Sequence, residues 1–230
     1  MIRRTPEHLA AAAYRYRQLG VLDTAMDYYA ASIAADARYA PALDGSARIW
    51  RDWGQLGPAL GDAYRATYFA PRSPEAWNTL GTVFQFLGQV DNAAAAYRRA
   101  VALDSTAAYA SSNLCYLAFL LGNAAEAHEE CSAALDADGR FVQARNNLAL
   151  VHAASGDTER AFATFLVAGG DAVAHYNIGI ILLAERQYDA AVLAFEAAAR
   201  AGPSFDKAHQ RARYARKQAL GARETGHGRR

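Results

Sequence analysis

Glycine recurs at a fixed interval of 34 residues, at Gly20, Gly54, Gly88, Gly122 and Gly156. Alanine follows the same interval five residues behind, at Ala25, Ala59, Ala93, Ala127 and Ala161. Two interleaved ladders of one period mark a repeat architecture, in which a unit too small to bury its own apolar face stacks on copies of itself. Each unit reads as two helices around a tight turn. Glycine supplies the turn, and alanine lets the helices approach closely. The stretch NAAAAYRRAVALD, residues 92–104, supports this independently: it is almost wholly good helix formers, with Tyr97, Val101 and Leu103 on or near one face.

The third unit shows the fullest pattern, with Trp77, Leu80, Gly81, Phe84, Ala93, Tyr97 and Ala100 in order. This resembles the tetratricopeptide repeat, with Ser105 where proline is usual. Phased from that unit, the repeats fall at 6–39, 40–73, 74–107, 108–141, 142–171 and 172–205. The resemblance implies an all-α, right-handed superhelical solenoid of six helix-turn-helix units with a C-terminal capping helix. Pro71 and Pro203 occupy the terminal proline position, where a residue that cannot continue a helix marks a boundary. The second unit departs from the pattern, with Ser46 and Ala47 for Leu-Gly and Trp50 at the aromatic place.

The fifth unit has only 30 residues, because the next first helix, AHYNIGIILLAERQ, begins four residues early. Gly169 and Gly170 are expected to end a shortened second helix, Asp171 to cap the next, and the superhelix pitch to change there. Arg186 stands where the sixth unit's turn glycine belongs. The cap is expected over 206–220, with Ala208, Ala212, Ala215 and Tyr214 inward and Gly221 at its end; residues 221–230 read as a disordered basic tail.

Composition narrows the function. The hydrophobic share of 53% is ample for a core, and a net charge of +1 gives no global field for nucleic acid or a membrane surface. The last 25 residues carry +6 and the preceding 205 carry −5, a basic end read chiefly as a solubilising cap. The N-terminal stretch makes a poor signal peptide, and no segment reads as a membrane span. Cys115 and Cys131 are too few for a disulfide framework and read as buried packing residues. A cytoplasmic location is the default expectation, with the periplasm as the alternative if the chain is trimmed.

No phosphate-binding loop, dinucleotide fingerprint, nucleophile elbow or zincin motif occurs, so no enzyme activity and no cofactor is expected. His128, Glu129 and Glu130 are adjacent on a helix and point in different directions, which does not suit metal ligands. His152 and His175 fill places for packing aromatics.

The remaining surface is the concave groove lined, as the resemblance implies, by the first helix of each unit. Asn113, Asn147 and Asn177 recur at one inward position of units four to six. A row of amides can pair with the backbone of an extended peptide, and it resembles the asparagine ladder of the repeat domain in O-linked N-acetylglucosamine transferases. Hydrogen bonding between repeats would equally explain it. The candidate peptide-binding set adds Asn78 and Asn146 to these amides, with Tyr109, Tyr116 and Tyr176 as aromatic anchors. The second unit turns Asp44, Arg48, Arg51 and Asp52 inward, so the N-terminal end of the groove is expected to be polar. Ala10, Ser112, Gln143 and Asn147 stand where a carboxylate clamp would need basic residues. The expected function is a non-catalytic scaffold or adaptor holding an extended segment of another protein. The alternatives are a substrate-docking or regulatory module of an enzyme complex, or an assembly factor of a pilus, secretion or envelope machine, which the alanine-rich, bacterial-looking units also resemble; self-association through uncovered end repeats stays open beside them.

Overall fold

The 34-residue interval decides where helices begin. In the computed structural model, which describes residues 5–227, the first helices are α1 (Pro6–Gln18), α3 (Ala40–Asp52), α5 (Pro74–Phe86), α7 (Ala108–Leu120) and α9 (Val142–Ala154). The second helices are α2 (Leu22–Ala35), α4 (Leu56–Phe69), α6 (Val90–Leu103) and α8 (Ala124–Ala137). Next come α10 (Thr158–Ala184), α11 (Tyr188–Ala201) and α12 (Asp206–His227). Among the described residues there is no strand.

Each hairpin turns by one device. Gly20, Gly54, Gly88, Gly122 and Gly156 all have φ between 71° and 80°. At the third turn the Gly88 N–H donates to Gln85 O at 3.0 Å and the Gln89 N–H to Phe84 O at 2.9 Å. These paired bonds satisfy the last carbonyls of the first helix, and a residue at positive φ closes them. Arg186 takes the missing glycine's place with φ 61°, donating to Leu183 O while Gln187 donates to Leu182 O. The geometry of the turn outlasts the residue best suited to it. Behind each turn the ladder alanines, Ala25, Ala59, Ala93, Ala127 and Ala161, are all 0% exposed, as is Ala191 in the shortened register.

Two compact units can be told apart, one of residues up to Leu117 with Asp136–Asp138, the other of Ala118–Leu135 with the chain from Gly139. In the N-terminal unit the first helices α1, α3 and α5 pack side by side, with the second helices against them. Its largest cluster joins Leu80, Val83, Phe84 and Tyr97 to Leu114 and Leu117. In the C-terminal unit α10 packs on α9 and α11, and α11 on α12. Phe165, Ala174 and Ile178 form one cluster there, and Phe195 with Ala212 and Ala215 another.

Gly170, at φ 80° and ψ 179°, interrupts α10 where the short fifth unit requires a break. Asp171 makes no capping bond; its Oδ1 lies 3.6 Å from His175 Nε2 instead. Among the described residues α10 alone has the length and apolar character of a membrane span, which the sequence reading did not foresee. The break leaves two pieces, 158–169 and 171–184, each short of the roughly 20 residues a span needs.

The end of the chain departs from expectation twice. Ala208, Ala212 and Ala215 are buried as expected, but Tyr214 is 48% exposed. The helix runs through Gly221 to His227, so 221–227 is helical rather than a disordered tail, and residues 228–230 lie outside the described residues. A glycine ends a helix when it adopts the left-handed turn, and Gly221 does not. Two basic residues of α12 pair with α11: Arg216 with Glu196, and Arg223 with Asp189 at 2.7 Å.

Candidate peptide-binding face

In the N-terminal unit the inward charges of the second repeat reach α5. Arg48 Nε donates to Thr79 Oγ1 at 3.0 Å and lies 2.9 Å from Asp44 Oδ2. One turn on, Arg51 donates to Thr82 Oγ1 at 2.8 Å and pairs with Asp52 at 2.6 Å. These charges tie neighbouring first helices together.

The amide row behaves similarly in this unit. Asn113 Nδ2 donates to Asn78 Oδ1 at 2.8 Å, joining α7 to α5. The two are 35 residues apart, so the bond links positions offset by one from the repeat register. In the C-terminal unit Asn147 is buried at 7% exposure and Asn177 is half-buried. The three amides thus have three environments.

Of the expected tyrosines, Tyr109 and Tyr116 lie half-buried on α7. The Tyr109 hydroxyl is sealed from solvent without a hydrogen-bond partner. Burial, reinforced by the Glu75 carboxylate, pushes its pKa up to about 12. Tyr176 is packed between rings, 5.6 Å from Phe195 and 4.9 Å from Phe205 by centroid, so much of its area is already committed to the core. Beside Asn147, Asn146 has a buried Oδ1 with no partner.

Buried polar atoms are normally paired. Among the described residues two more sealed atoms lack a partner, Arg17 Nε and Asp44 Oδ1. Both residues line a cavity of about 570 Å³ bounded by α1, α3, Tyr29 of α2 and the start of α5. The room comes from small residues, since Ala10, Ala40, Gly45 and Ala76 are buried where larger side chains would fill it. Tyr29 is 3% exposed and lines the cavity, its ring tip packed on Gly45. Burial holds the Asp44 carboxyl above the usual carboxylate range, against the opposing pull of Arg48. The sequence reading placed Asp44 and Arg48 inward but missed Arg17, Tyr29 and the cavity.

The histidines are packing groups. His152 has its ring 5.7 Å from that of His128, and His175 lies 4.8 Å from Phe162. Burial, then the neighbouring His128, lowers the pKa of His152. His128 and Glu129 are solvent-exposed, and no group of three His, Cys, Asp or Glu among the described residues is placed to hold a metal. The two cysteines are fully buried, as expected of packing residues, but oxidised: neither is a free thiol. Their spacing matches no motif, which is why the sequence carried no sign of it.

The family model of the tetratricopeptide repeat matches residues 74–106 and 172–204. Among solved structures, the hetero-tetramer Cut9-Hcn1 of the APC/C matches with a TM-score of 0.76 and 17% identity over 93% of this chain. The chain spans 43% of that protein's length. A tetratricopeptide repeat protein from Parabacteroides merdae matches with a TM-score of 0.68 and 18% identity, over 93% of this chain and 85% of the other. YrrB, described as a TPR protein with an unusual peptide-binding site, matches at 0.56 and 18%, over 82% and 97%. No curated protein matches the sequence. The chain contains tetratricopeptide repeats, and its all-α solenoid fold is theirs.

Proposed function

We propose that the chain is a non-catalytic scaffold that binds an extended segment of another protein along the face of its first helices. One observation carries the reading: polar atoms sealed from water without a partner gather there, namely Arg17 Nε, Asp44 Oδ1 and Tyr109 Oη in one unit and Asn146 Oδ1 in the other. Each lost solvation on folding with no compensating bond, a cost of about 1–3 kcal/mol apiece that is recovered where a small rotation turns the side chain to a bound peptide backbone. The likeness to a peptide-binding repeat protein supports the same reading. The amides contribute unequally, because Asn113 and Asn78 already bond to each other while Asn177 is half-buried and makes no such bond. The oxidised cysteines favour an oxidising compartment for this activity over the cytoplasm.

The test is a library of random twelve-residue peptides displayed on phage and selected on the full chain. Combining Tyr109→Phe, Asn113→Ala and Asn177→Ala is expected to weaken the best selected peptide at least tenfold, with little change in helicity. A selection that yields no peptide above background, or a triple variant that binds as well as the parent, overturns the reading.

A further inference from the structure

The cavity between α1, α3 and the start of α5 has a chemistry more specific than a peptide backbone requires. Its floor holds the Asp44 carboxylate, whose Oδ1 has no hydrogen-bond partner, and Tyr29, a residue only 3% exposed that lines the cavity. At the rim stand Glu7 and Glu75, both solvent-exposed. Against these three carboxylates the lining sets two cations, Arg17 and Arg48. Arg48 is occupied with Asp44 Oδ2 and Thr79. The unmet capacity at the floor is therefore an acceptor on a carboxylate, and the lining carries a net negative charge. An apolar side chain would leave Asp44 Oδ1 desolvated and unpaired, and an anion would face three carboxylates. Only a group rich in donors and positively charged meets both conditions.

Deepening the reading of a peptide-binding scaffold, on which it rests, we propose that this cavity receives a lysine or arginine side chain of the bound peptide. The cationic head meets the Asp44 carboxylate, whose side chain keeps 17% exposure, and the Tyr29 side chain. Arg17, which also lines the cavity, offers its guanidinium to a carbonyl of the adjoining peptide backbone. A cavity of about 570 Å³ holds one long side chain with its flanking backbone. Tyr14, 55% exposed at the mouth, offers a ring to the aliphatic stem.

The selected peptides test this directly. One position is expected to be fixed as lysine or arginine, and changing it to alanine is expected to weaken binding at least tenfold. Asp44→Asn, which keeps the shape and removes the charge, is expected to weaken the basic peptide by a similar factor. It should leave the alanine peptide unaffected, so that the two changes are non-additive. Tyr29→Phe removes a hydroxyl from the cavity lining and is expected to cost a few-fold, with the fold intact by circular dichroism. Peptides that bind but show no basic position, or an acidic one, or that bind Asp44→Asn as well as the parent, overturn this proposal while leaving peptide binding in place. Failure to select any peptide overturns both.

Discussion

The two units solve one packing problem with different surpluses. In the N-terminal unit the first helices are tied by ions and hydroxyls, Arg48 to Thr79 and Arg51 to Thr82, and a cavity remains whose lining includes Arg17 and Asp44, each with an unpaired polar atom. In the C-terminal unit the corresponding places are apolar: Leu150 and Ala153 on α9, Ile180 and Leu183 on α10, and Tyr176 in the place of Asp44, its ring packed against Phe195 and Phe205. Apolar side chains satisfy one another by contact, and places filled by them leave no polar atom for a ligand to complete. Buried ions and hydroxyls demand partners, and where the fold withholds them a ligand gains. The repeat fixes the backbone, and the choice between apolar side chain and ion at a few first-helix positions sets where recognition is concentrated.

What the units share should be the most fragile. Tyr97 and Phe195 are both 0% exposed, and each ring lies against a first-helix glycine. A Cβ on Gly81 would come within 2.6 Å of the Tyr97 ring, and one on Gly179 within 2.7 Å of Phe195. Tyr97→Ala and Phe195→Ala are each expected to lose about 3–5 kcal/mol in urea unfolding. A loss confined to one of them would show that the units do not rest on the same contact. Tyr97→Phe, which gives the N-terminal unit the ring of its counterpart, should cost only about 1 kcal/mol, for the hydroxyl bond to Gln85 at 2.7 Å.

A smaller effect, of opposite sign, should separate the units. Because burial raises the Asp44 pKa, the folded chain keeps that proton to higher pH than the unfolded chain does. Asp44 therefore destabilises the fold progressively as pH rises from the unfolded carboxylate range through its raised folded value. Asp44→Asn is expected to be more stable than the parent at pH 7, by less than the aromatic truncations cost. The two should converge as pH falls towards about 4, the unfolded aspartate value. If the gap widens in acid, the carboxylate is stabilised by Arg48 more than it is penalised by burial, and the contrast between the units weakens.

Much of the scaffold was legible in the sequence, because backbone geometry leaves few residue choices. A turn at φ near 75° calls for glycine, and a fully buried helix crossing calls for alanine, so both ladders mark structure directly. The break at Gly170 could be read from the register for the same reason. The cavity could not. It arises where Ala10, Ala40, Gly45 and Ala76 lack bulk, and three helices distant in sequence converge around that space. Nor was the Asn113–Asn78 bond legible, since strict periodicity points from Asn113 to Thr79, and the neighbouring helix is offset by one residue. Tyr214 was misplaced because a single terminal helix has no repeat to fix which of its faces turns inward.

The smallest expected effect lies within the C-terminal unit and compares one turn with the next. Gly156 and Arg186 occupy equivalent places, at φ 80° and 61°, and both turns make the same pair of backbone bonds. Any difference between them is therefore the cost of a side chain in left-handed geometry, about 1 kcal/mol for an L residue. Arg186→Gly should recover part of that, offset by the greater backbone freedom of glycine in the unfolded chain, for a net gain of a few tenths to 1 kcal/mol. The reciprocal Gly156→Ala should lose about 1 kcal/mol, although no atom lies within 4 Å of the added Cβ. A loss on Arg186→Gly would mean that the arginine side chain makes a stabilising contact which outweighs the strain of its backbone, and the turns would then differ in more than the residue that closes them.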